Sequence, residues 1–294
     1  MKQLLKTAII FYLLFLSAGI THAQKNTVSE IIINRDEIKL KGKFYAAEGE
    51  GSFTTVILLQ GFPGNEIDVL GIGKRLSEAG INALTFNYSG TYQSEGLYSF
   101  TNTQKDIKAA YNFIHQPENI IEYKIDTTRI ILGGYSYGGG MALTYAANHP
   151  EIKTVFSIAG TDHGEFFREY FRNNSFKQLI DNIFDQLATP SGPVRFPEGG
   201  MPKDVTEESI AEADSTFDLR KCAPLLFQKN ILLIAGWDDI NVTIDNHILP
   251  FYRALQKEKA DKVTIVAFQD DHSFKRVRSE LAESIIEWIR LVEQ

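Results

Sequence analysis

Apolar segments of strand length alternate with helical patterns along most of this 294-residue chain. Parallel strands need long crossover connections, usually helices, so the alternation predicts βαβ units and a mostly parallel sheet. The strand segments are apolar throughout, which is typical of strands covered by helices on both faces. The strand segments are 54–61, 81–90, 129–136, 152–160, 230–239 and 262–271, and the helical segments are 69–80, 102–116, 137–150, 247–259 and 277–294.

Two segments depart from this alternation. Residues 30–51 contain two short strand patterns around a polar turn, and we expect an antiparallel hairpin at the edge of the sheet. Residues 161–229 follow the sixth predicted strand, where a single helix would normally lie, and a connection of this length is usually a functional lid or binding element. We therefore expect a core of residues 24–160 and 230–294, with residues 161–229 forming a helical cap.

The predicted cap begins with an aromatic-rich helical stretch and continues through a Pro/Gly-rich segment to a capping box at Thr206. Its apolar residues follow helical spacing, which favours a stripe that packs the cap onto the core. The alternative is an apolar binding pocket. The residues of the stripe are Phe167, Tyr170, Phe171, Ile180, Ile183, Phe184 and Leu187.

The first residues have the pattern of a secretory signal peptide. Lys2 and Lys6 precede an apolar run, and small residues follow it. We expect cleavage after Ala23 and a periplasmic or secreted mature protein. A membrane anchor is the alternative, but about 14 apolar residues are short for a bilayer span. Cys222 is the only cysteine, so no intramolecular disulfide can form, and we expect it to be a small buried hydrophobic residue.

The charge distribution argues against several partners and cofactors. The net charge is −7 and becomes more negative when the two signal-peptide lysines are removed. The charged residues are scattered, and the sequence contains no block of basic residues. Nucleic acid and anionic membranes are therefore poor partner candidates. The chain also lacks a complete dinucleotide or phosphate loop and a helical His/Glu metal motif. We therefore expect no cofactor.

The most informative motif is Gly-x-Ser-x-Gly at Gly134, Ser136 and Gly138. A predicted strand ends at this motif and a helix begins directly after it, so the serine must lie in a sharp and strained turn. Such a turn presents the hydroxyl at the carboxyl edge of the sheet, with the Tyr137 N–H at a helix N-terminus beside it. The alternative is a glycine-rich turn whose serine has no catalytic role.

A serine nucleophile needs a base. His272 lies just past the last predicted strand, at the same sheet edge as Ser136, and is the favoured base. His163 follows another strand and is a minor candidate, as well as a possible substrate contact together with Phe167 and Tyr170 of the predicted cap. The other histidines of the mature chain, His115, His149 and His247, are expected at the surface or at helix ends.

A carboxylate must orient the base, and both Asp238 and Asp239 follow the preceding strand. Here the chain resembles the α/β-hydrolase superfamily, in particular its dienelactone hydrolase and prolyl oligopeptidase-like branch, whose triad runs in the order Ser, acid, His. Members commonly carry Gly-x-x-Asp-x-x-Val after the strand that bears the acid. That pattern falls on Gly236, Asp239 and Val242 and so selects Asp239.

The resemblance leaves one other position for the acid, since some members place it where Asp162 lies. Asp270 and Asp271, beside the histidine, are expected in a solvated loop. Family members also form an oxyanion hole with an N–H after the third strand, often following His-Gly, and this chain has Gln60-Gly61 there. The resemblance therefore implies Phe62 and Tyr137 as backbone donors.

These residues imply the α/β-hydrolase fold and a serine hydrolase that cleaves carboxylic esters through an acyl-enzyme. The expected substrate is a small-molecule or peptide acyl compound, and an apolar pocket in the cap would hold its acyl group. A serine peptidase of the prolyl oligopeptidase-like type is the alternative, with Glu165 or Glu169 available to hold a peptide amine. A third possibility is a non-catalytic hydrolase-like binding protein, although such relatives usually lack a triad residue, and this chain retains all three.

Overall fold

The computed structural model of the chain describes residues 28–65, 68–197 and 216–294. Over these residues, eight strands form one sheet in the order β1-β2-β4-β3-β5-β6-β7-β8. All strand pairs from β4 through β3 to β8 are parallel. The strands are β1 (Val28–Arg35), β2 (Ile38–Tyr45), β3 (Phe53–Leu59), β4 (Asn82–Phe86), β5 (Ile125–Tyr135), β6 (Thr154–Ile158), β7 (Asn230–Gly236) and β8 (Val263–Phe268).

The parallel strands are connected by helices, as the alternation predicts. One helical layer joins α4 to α2 and α7 over β5 and β6, and α1 packs with α9 beside β2 and β4. A π-helical turn, Ile244–Ile248, precedes α8. The helices described are α1 (Ile72–Glu78), α2 (Phe100–Ile114), α3 (Pro117–Glu122), α4 (Tyr137–Asn148), α5 (His163–Arg172), α6 (Asn174–Leu187), α7 (Leu219–Leu226), α8 (Leu249–Lys257) and α9 (Arg278–Val292).

Burial follows the position of each strand in the sheet. Every residue of β4 is buried, and β3 is buried beyond its first residue, which agrees with helices covering both faces of the central strands. The edge strand β8 leaves Thr264 and Ile265 exposed, so its apolar sequence does not mark burial on both faces. The hairpin of β1 and β2 is antiparallel and forms the opposite edge, as predicted.

The long connection between β6 and β7 contains α5, α6 and α7. The capping box at Thr206 and the predicted signal peptide, residues 1–23, lie outside the described residues. Within the part of the chain that is described, no helix combines the length and the apolar character needed to cross a bilayer. Cys222 on α7 is buried, and burial raises the pKa of its thiol to about 12, which agrees with the predicted role as a small hydrophobic residue.

Parallel pairing brings the carboxyl ends of several strands to one edge of the sheet. Leu59 of β3 pairs with Gly134 of β5, and Gly236 of β7 pairs with Phe268 of β8. The chain therefore leaves the sheet toward Gln60, Ser136, Asp239 and His272 on the same side.

Candidate active site

Ser136 lies in the sharp turn that the glycine motif predicts. Its backbone has φ 54° and ψ −120°, a region that residues with a side chain seldom adopt. The turn is held by the surrounding backbone, because the Ser136 N–H donates to Ile158 O at 2.8 Å and its carbonyl accepts from Thr161 N–H at 3.1 Å. A side chain at Gly134 would lie only 2.4 Å from the Gly138 carbonyl group, so the approach of strand and helix requires glycine there.

A continuous chain of hydrogen bonds links the serine to an imidazole and a carboxylate. His272 Nε2 lies 2.9 Å from Ser136 Oγ, and His272 Nδ1 lies 2.7 Å from Asp239 Oδ2. The Asp239 side chain is fully buried, and its Oδ1 accepts from the N–H groups of Asn241 at 2.8 Å and Val242 at 2.9 Å. Both oxygens of the carboxylate therefore accept hydrogen bonds. The imidazole, in the loop after β8, connects the serine that follows β5 to the aspartate that follows β7.

The neighbouring aspartates have other partners. Asp238 accepts from Gln269 Nε2 at 2.7 Å and from Arg276 Nη2 at 3.0 Å, at the surface. Asp270 was expected in a solvated loop, and this expectation is wrong, because its side chain is buried and accepts from both the Arg276 N–H and Arg276 Nε. The guanidinium beside it compensates the buried charge.

Asp162, the other position for the acid, caps a helix. Its Oδ1 accepts from the N–H groups of Glu165 and Leu219, at the start of α5 and of α7. Its own N–H donates to His247 Nδ1 at 3.2 Å. Burial, and then the nearby charge of Asp218, raise the pKa of this carboxyl to about 7. His247 lies at the end of the π-helical turn that precedes α8, as expected for a residue at a helix end, but it is buried rather than at the surface.

The loop after β3 passes directly beside the serine. A side-chain Cβ at Gly138 would lie 2.3 Å from Gln60 O, and one at Gly61 would lie 3.5 Å from Ser136 Cβ. The N–H groups of Phe62 and Tyr137 have no acceptor among the described residues, so both are available to a ligand.

Buried side chains fix the loop after β3 in place. Tyr88 Oη donates to Gln60 O at 2.6 Å, and Gln60 Nε2 donates to Thr85 Oγ1 at 3.1 Å and to Asn65 O at 3.2 Å. Gln60, which stands where the family often has histidine, is therefore anchored on β4 and leaves the Phe62 N–H unaffected.

Tyr135 is a residue of the site that the sequence reasoning missed. Its Oη donates to His272 O at 2.9 Å, and its ring lies 5.1 Å from the imidazole. Burial, and then the negative charge of Asp239, raise the pKa of this phenol to about 12, so it stays a hydrogen-bond donor at neutral pH. The sequence signal that could have identified Tyr135 is its position as the variable residue between Gly134 and Ser136.

The three predicted substrate contacts lie inside the protein. His163, Phe167 and Tyr170 are all buried on α5. The His163 ring packs against Phe100 at 5.0 Å and Tyr137 at 5.1 Å, and contact of any of these three residues with substrate stays a prediction.

The apolar stripe of the predicted cap is only partly used for packing. Phe184 of α6 stacks on Phe62 with ring centroids 5.3 Å apart, so this helix contacts the loop beside Ser136. Phe171 and Ile183 are exposed, which contradicts a stripe buried along its full length. Phe171 lies on α5 and Ile183 on α6, so both helices expose part of the stripe.

A family model described as the alpha/beta hydrolase fold matches residues 54–194. The chain has the α/β-hydrolase fold. This match confirms the resemblance of the sequence to the superfamily. It also confirms the predicted fold class, a mostly parallel sheet with helices.

Curated relatives of this chain include Cutinase 1 of Thermobifida cellulosilytica and a cutinase of Thermobifida fusca. Each is 23% identical over 118 residues, which is 40% of this chain. The match covers 43% and 38% of these relatives, so the chain spans less than half of their length.

Solved structures with the same fold extend over nearly the whole chain. An esterase of Pyrococcus furiosus has a TM-score of 0.63 at 17% identity and is covered over 90% of both chains. The acylaminoacyl peptidase of Pyrococcus horikoshii has a TM-score of 0.64 at 16% identity, covering 90% of this chain and 41% of that one. Est1E of Butyrivibrio proteoclasticus, solved with ferulic acid, has a TM-score of 0.62 at 17% identity, covering 90% and 98%.

Proposed function

We propose that the protein is a serine hydrolase that cleaves carboxylic esters through an acyl-enzyme, with Ser136, His272 and Asp239 as its triad. The observation that carries the proposal is the hydrogen-bond chain from Ser136 Oγ through His272 to the buried Asp239 carboxylate. A serine in a strained turn has no evident use without chemistry, because such a backbone costs about 1–3 kcal/mol. The fold and the cutinase relatives support the same class.

In the first half of the reaction, His272 Nε2 takes the Ser136 proton as Oγ bonds to the ester carbonyl carbon. The carbonyl electron pair moves onto oxygen, and the resulting oxyanion accepts from the N–H groups of Phe62 and Tyr137. The carbon–oxygen bond to the alcohol then breaks, and His272 returns the proton to the leaving oxygen. Loss of one such donor typically raises the barrier by about 3 kcal/mol.

In the second half, water replaces the alcohol. His272 takes a proton from water as its oxygen attacks the acyl carbon, and the same two N–H groups hold the oxyanion. The bond to Ser136 Oγ breaks, Oγ regains a proton from His272, and the carboxylic acid leaves. Asp239 keeps the Nδ1 proton on the imidazole and stabilises the imidazolium in both halves.

A peptidase is the second candidate, favoured by the similarity to an acylaminoacyl peptidase. The acidic residues expected to hold a peptide amine are already paired. Glu165 accepts from Arg168, Arg172 and Arg220, while Glu169 accepts from Arg172. An ester therefore suits the described part of the site better than a free amino terminus does.

A fluorophosphonate probe tests whether the protein is catalytic. We expect stoichiometric labelling of the intact protein and none of Ser136→Ala, because only an activated serine attacks the phosphorus centre. Equal labelling of the two proteins would favour the non-catalytic binding protein. Comparison of p-nitrophenyl acetate and butyrate with aminoacyl anilides then ranks the two enzyme classes, and faster turnover of the anilides would reverse our ranking.

We further propose that the protein acts outside the cytoplasm after removal of residues 1–23. The basic start, apolar run and small residues of this segment support the proposal. Amino-terminal sequencing of the protein recovered from a host that secretes it is expected to begin near Gln24. Recovery of an unprocessed chain in the cytoplasm would contradict it.

A further inference from the structure

Tyr88, in the segment after β4, is a buried tyrosine whose hydroxyl takes part in no step of the proposed hydrolysis. The residue is fully buried, and its Oη donates to Gln60 O at 2.6 Å. Within the described ranges of the chain, Gln60 O accepts no other hydrogen bond. Burial raises the pKa of this phenol well above its ordinary value, so the hydroxyl remains a donor at neutral pH.

The Tyr88 side chain contacts both segments that carry the proposed oxyanion donors. Its hydroxyl holds the Gln60 carbonyl, which lies two residues before the Phe62 N–H. Its ring packs edge-on against the ring of Tyr137, with centroids 5.4 Å apart and ring planes at 76°. The Tyr137 N–H, at the start of α4, is the other donor. One buried side chain therefore links the loop and the helix residue whose separation defines the oxyanion hole.

The Gln60 carbonyl is the point at which the loop after β3 meets α4. A Cβ at Gly138 would lie 2.3 Å from this oxygen, so the helix backbone approaches it closely. Rotation of the peptide between Gln60 and Gly61 would move the oxygen and would redirect the Phe62 N–H that follows. The Tyr88 hydroxyl opposes this rotation, because a buried carbonyl left without a donor is unfavourable.

Tyr88 is itself held by buried residues on the carboxyl side of its Cα. Its carbonyl accepts from the Thr91 N–H at 3.0 Å and from Thr91 Oγ1 at 2.9 Å. The next residue, Ser89, donates to the Asp106 carboxylate through its N–H at 2.7 Å and through its hydroxyl at 2.5 Å. The Arg35 guanidinium lies 2.8 Å from the same carboxylate. The phenol is therefore attached to a fixed part of the core and does not move with the loop.

We propose that Tyr88 is a positioning residue of the oxyanion hole, which sets the separation and direction of the Phe62 and Tyr137 N–H groups. The inference rests on the proposed esterase function. Tyr88 is fully buried and acts through its neighbours rather than on the substrate. Misplacement of catalytic groups by about 1 Å can slow a reaction about 100-fold. Because oxyanion donors act mainly in the transition state, loss of the hydroxyl should lower kcat and leave KM unchanged.

Tyr88→Phe in the full mature chain removes the hydroxyl and keeps the ring. We expect kcat for p-nitrophenyl butyrate to fall at least about 10-fold, with KM within about 2-fold of the wild type. Butyl trifluoromethyl ketone tests the oxyanion hole directly. Ser136 Oγ bonds to its carbonyl carbon, His272 takes the serine proton, and the carbonyl electron pair forms an oxyanion that accepts from the same two N–H groups. The inhibition constant of this ketone should rise by about the factor by which kcat falls.

Tyr123→Phe is the matched control. Tyr123 is also buried, its ring stacks on Phe44 at 3.9 Å, and it precedes the amino end of β5, at the sheet edge opposite Ser136. Its kcat, KM and inhibition constant should stay within about 2-fold of the wild type. Urea unfolding measures the stability that each variant loses, and the kinetics are recorded where both are folded. Equal kinetics for Tyr88→Phe and this control would show that Tyr88 only packs, and would overturn the proposal.

Thr91→Val decides the question if Tyr88→Phe does not fold. It removes the Oγ1 donor to the Tyr88 carbonyl and keeps the N–H donor, so we expect kcat to fall roughly 3-fold with KM unchanged. Unchanged kcat in this variant would then overturn the positioning role. A wild type that neither reacts with fluorophosphonate nor hydrolyses the ester refutes the proposed function, and this inference with it. An active wild type with unaltered kinetics in Tyr88→Phe refutes the positioning role alone.

Discussion

The carboxylate of Asp239 is oriented by the backbone that follows it. Its Oδ1 accepts from Asn241 and Val242, which leaves Oδ2 directed at His272. These contacts give the physical reason for the Gly-x-x-Asp-x-x-Val pattern. Gly236 is required because a Cβ there would lie 2.5 Å from Asp270 O, and the buried Val242 supplies one of the two donors.

Asp239→Asn tests the assignment of the acid. The amide no longer holds the Nδ1 proton on His272, and the wrong tautomer cannot accept from Ser136, so we expect kcat to fall by about 10,000-fold. Asp238→Asn is the matched control. Its side chain is exposed and bonded to Gln269 and Arg276, and kcat should stay within about 2-fold of the wild type. The measurement is steady-state hydrolysis of p-nitrophenyl butyrate, and a larger loss in Asp238→Asn would reverse the assignment.

Tyr135→Phe tests a positioning role in the same loop. Removal of the hydroxyl leaves His272 O without this donor, and one such hydrogen bond contributes about 1 kcal/mol. We expect kcat to fall roughly 5-fold with KM unchanged, because the imidazole is less well held while the substrate surface is intact. Tyr145→Phe is the control, since its buried hydroxyl has no partner among the described residues. Equal kinetics for both variants would mean that Tyr135 is only a packing residue.

At the scale of elements, the site depends on how closely α4 approaches the end of β3. Glycine at position 138 lets the first turn of the helix reach the Gln60 carbonyl. This contact fixes the distance between the Tyr137 N–H, which belongs to the helix, and the Phe62 N–H, which belongs to the loop.

Gly138→Ala tests this dependence. The added Cβ would lie 2.3 Å from Gln60 O, a backbone atom, so the loop must move. Overpacking of this kind costs about 1–3 kcal/mol of stability. We expect kcat/KM to fall at least 10-fold while fluorophosphonate still labels Ser136, because the triad remains. Gly71→Ala is the control for stability alone, because its left-handed backbone (φ 77°) disfavours a side chain while no atom lies within 4 Å of the added Cβ. Unchanged kcat/KM in Gly138→Ala would contradict an oxyanion role for the N–H groups of Phe62 and Tyr137.

At the scale of the whole molecule, the sequence was sufficient for the sheet and the edge where the site lies. Strand runs, glycines and parallel connection order are local signals, and together they bring Ser136 and His272 to one side. The environment of buried polar residues was not predictable, because it depends on which distant segments meet. His247 is buried against the backbone of Asp162, which is distant in the sequence. Asp270 is buried against Arg276, which lies across a turn from it.

The same limit applies to the predicted cap. The exposure of Phe171 on α5 and of Ile183 on α6 depends on how each helix lies against the core, which helical spacing does not encode.

The buried histidine His163 links the packing of the core to pH. Both of its ring nitrogens are without hydrogen-bond partners among the described residues, and burial, then repulsion from His247, lower its pKa to about 3. The native protein keeps this imidazole neutral, whereas the unfolded chain binds a proton with a pKa of about 6.5. The unfolded state therefore holds more protons between pH 6.5 and 3, and the free energy of unfolding decreases as the pH falls through this range.

Asp162, next to His163, acts in the opposite direction. Its raised pKa, about 7, means that the native state binds a proton between about pH 7 and 4 that the unfolded carboxylate does not, so it adds stability as the pH falls. The net slope of the wild type combines these effects with that of His247, whose pKa burial lowers to about 4. A single substitution is needed to isolate the histidine.

His163→Phe isolates this effect, because phenylalanine fills a similar volume and does not titrate. We expect the free energy of unfolding of the variant, relative to wild type, to increase as the pH is lowered from 7 to 5, by up to about 1.4 kcal/mol per pH unit below 6.5. Urea unfolding at pH 7, 6 and 5 measures it. Phe100→Leu, which disturbs the ring against His163 without changing a titrating group, should shift all three values equally. Parallel curves for wild type and His163→Phe would show that the native imidazole takes up protons like the unfolded one. Retention of esterase activity in His163→Phe would also remove this residue from the predicted substrate contacts.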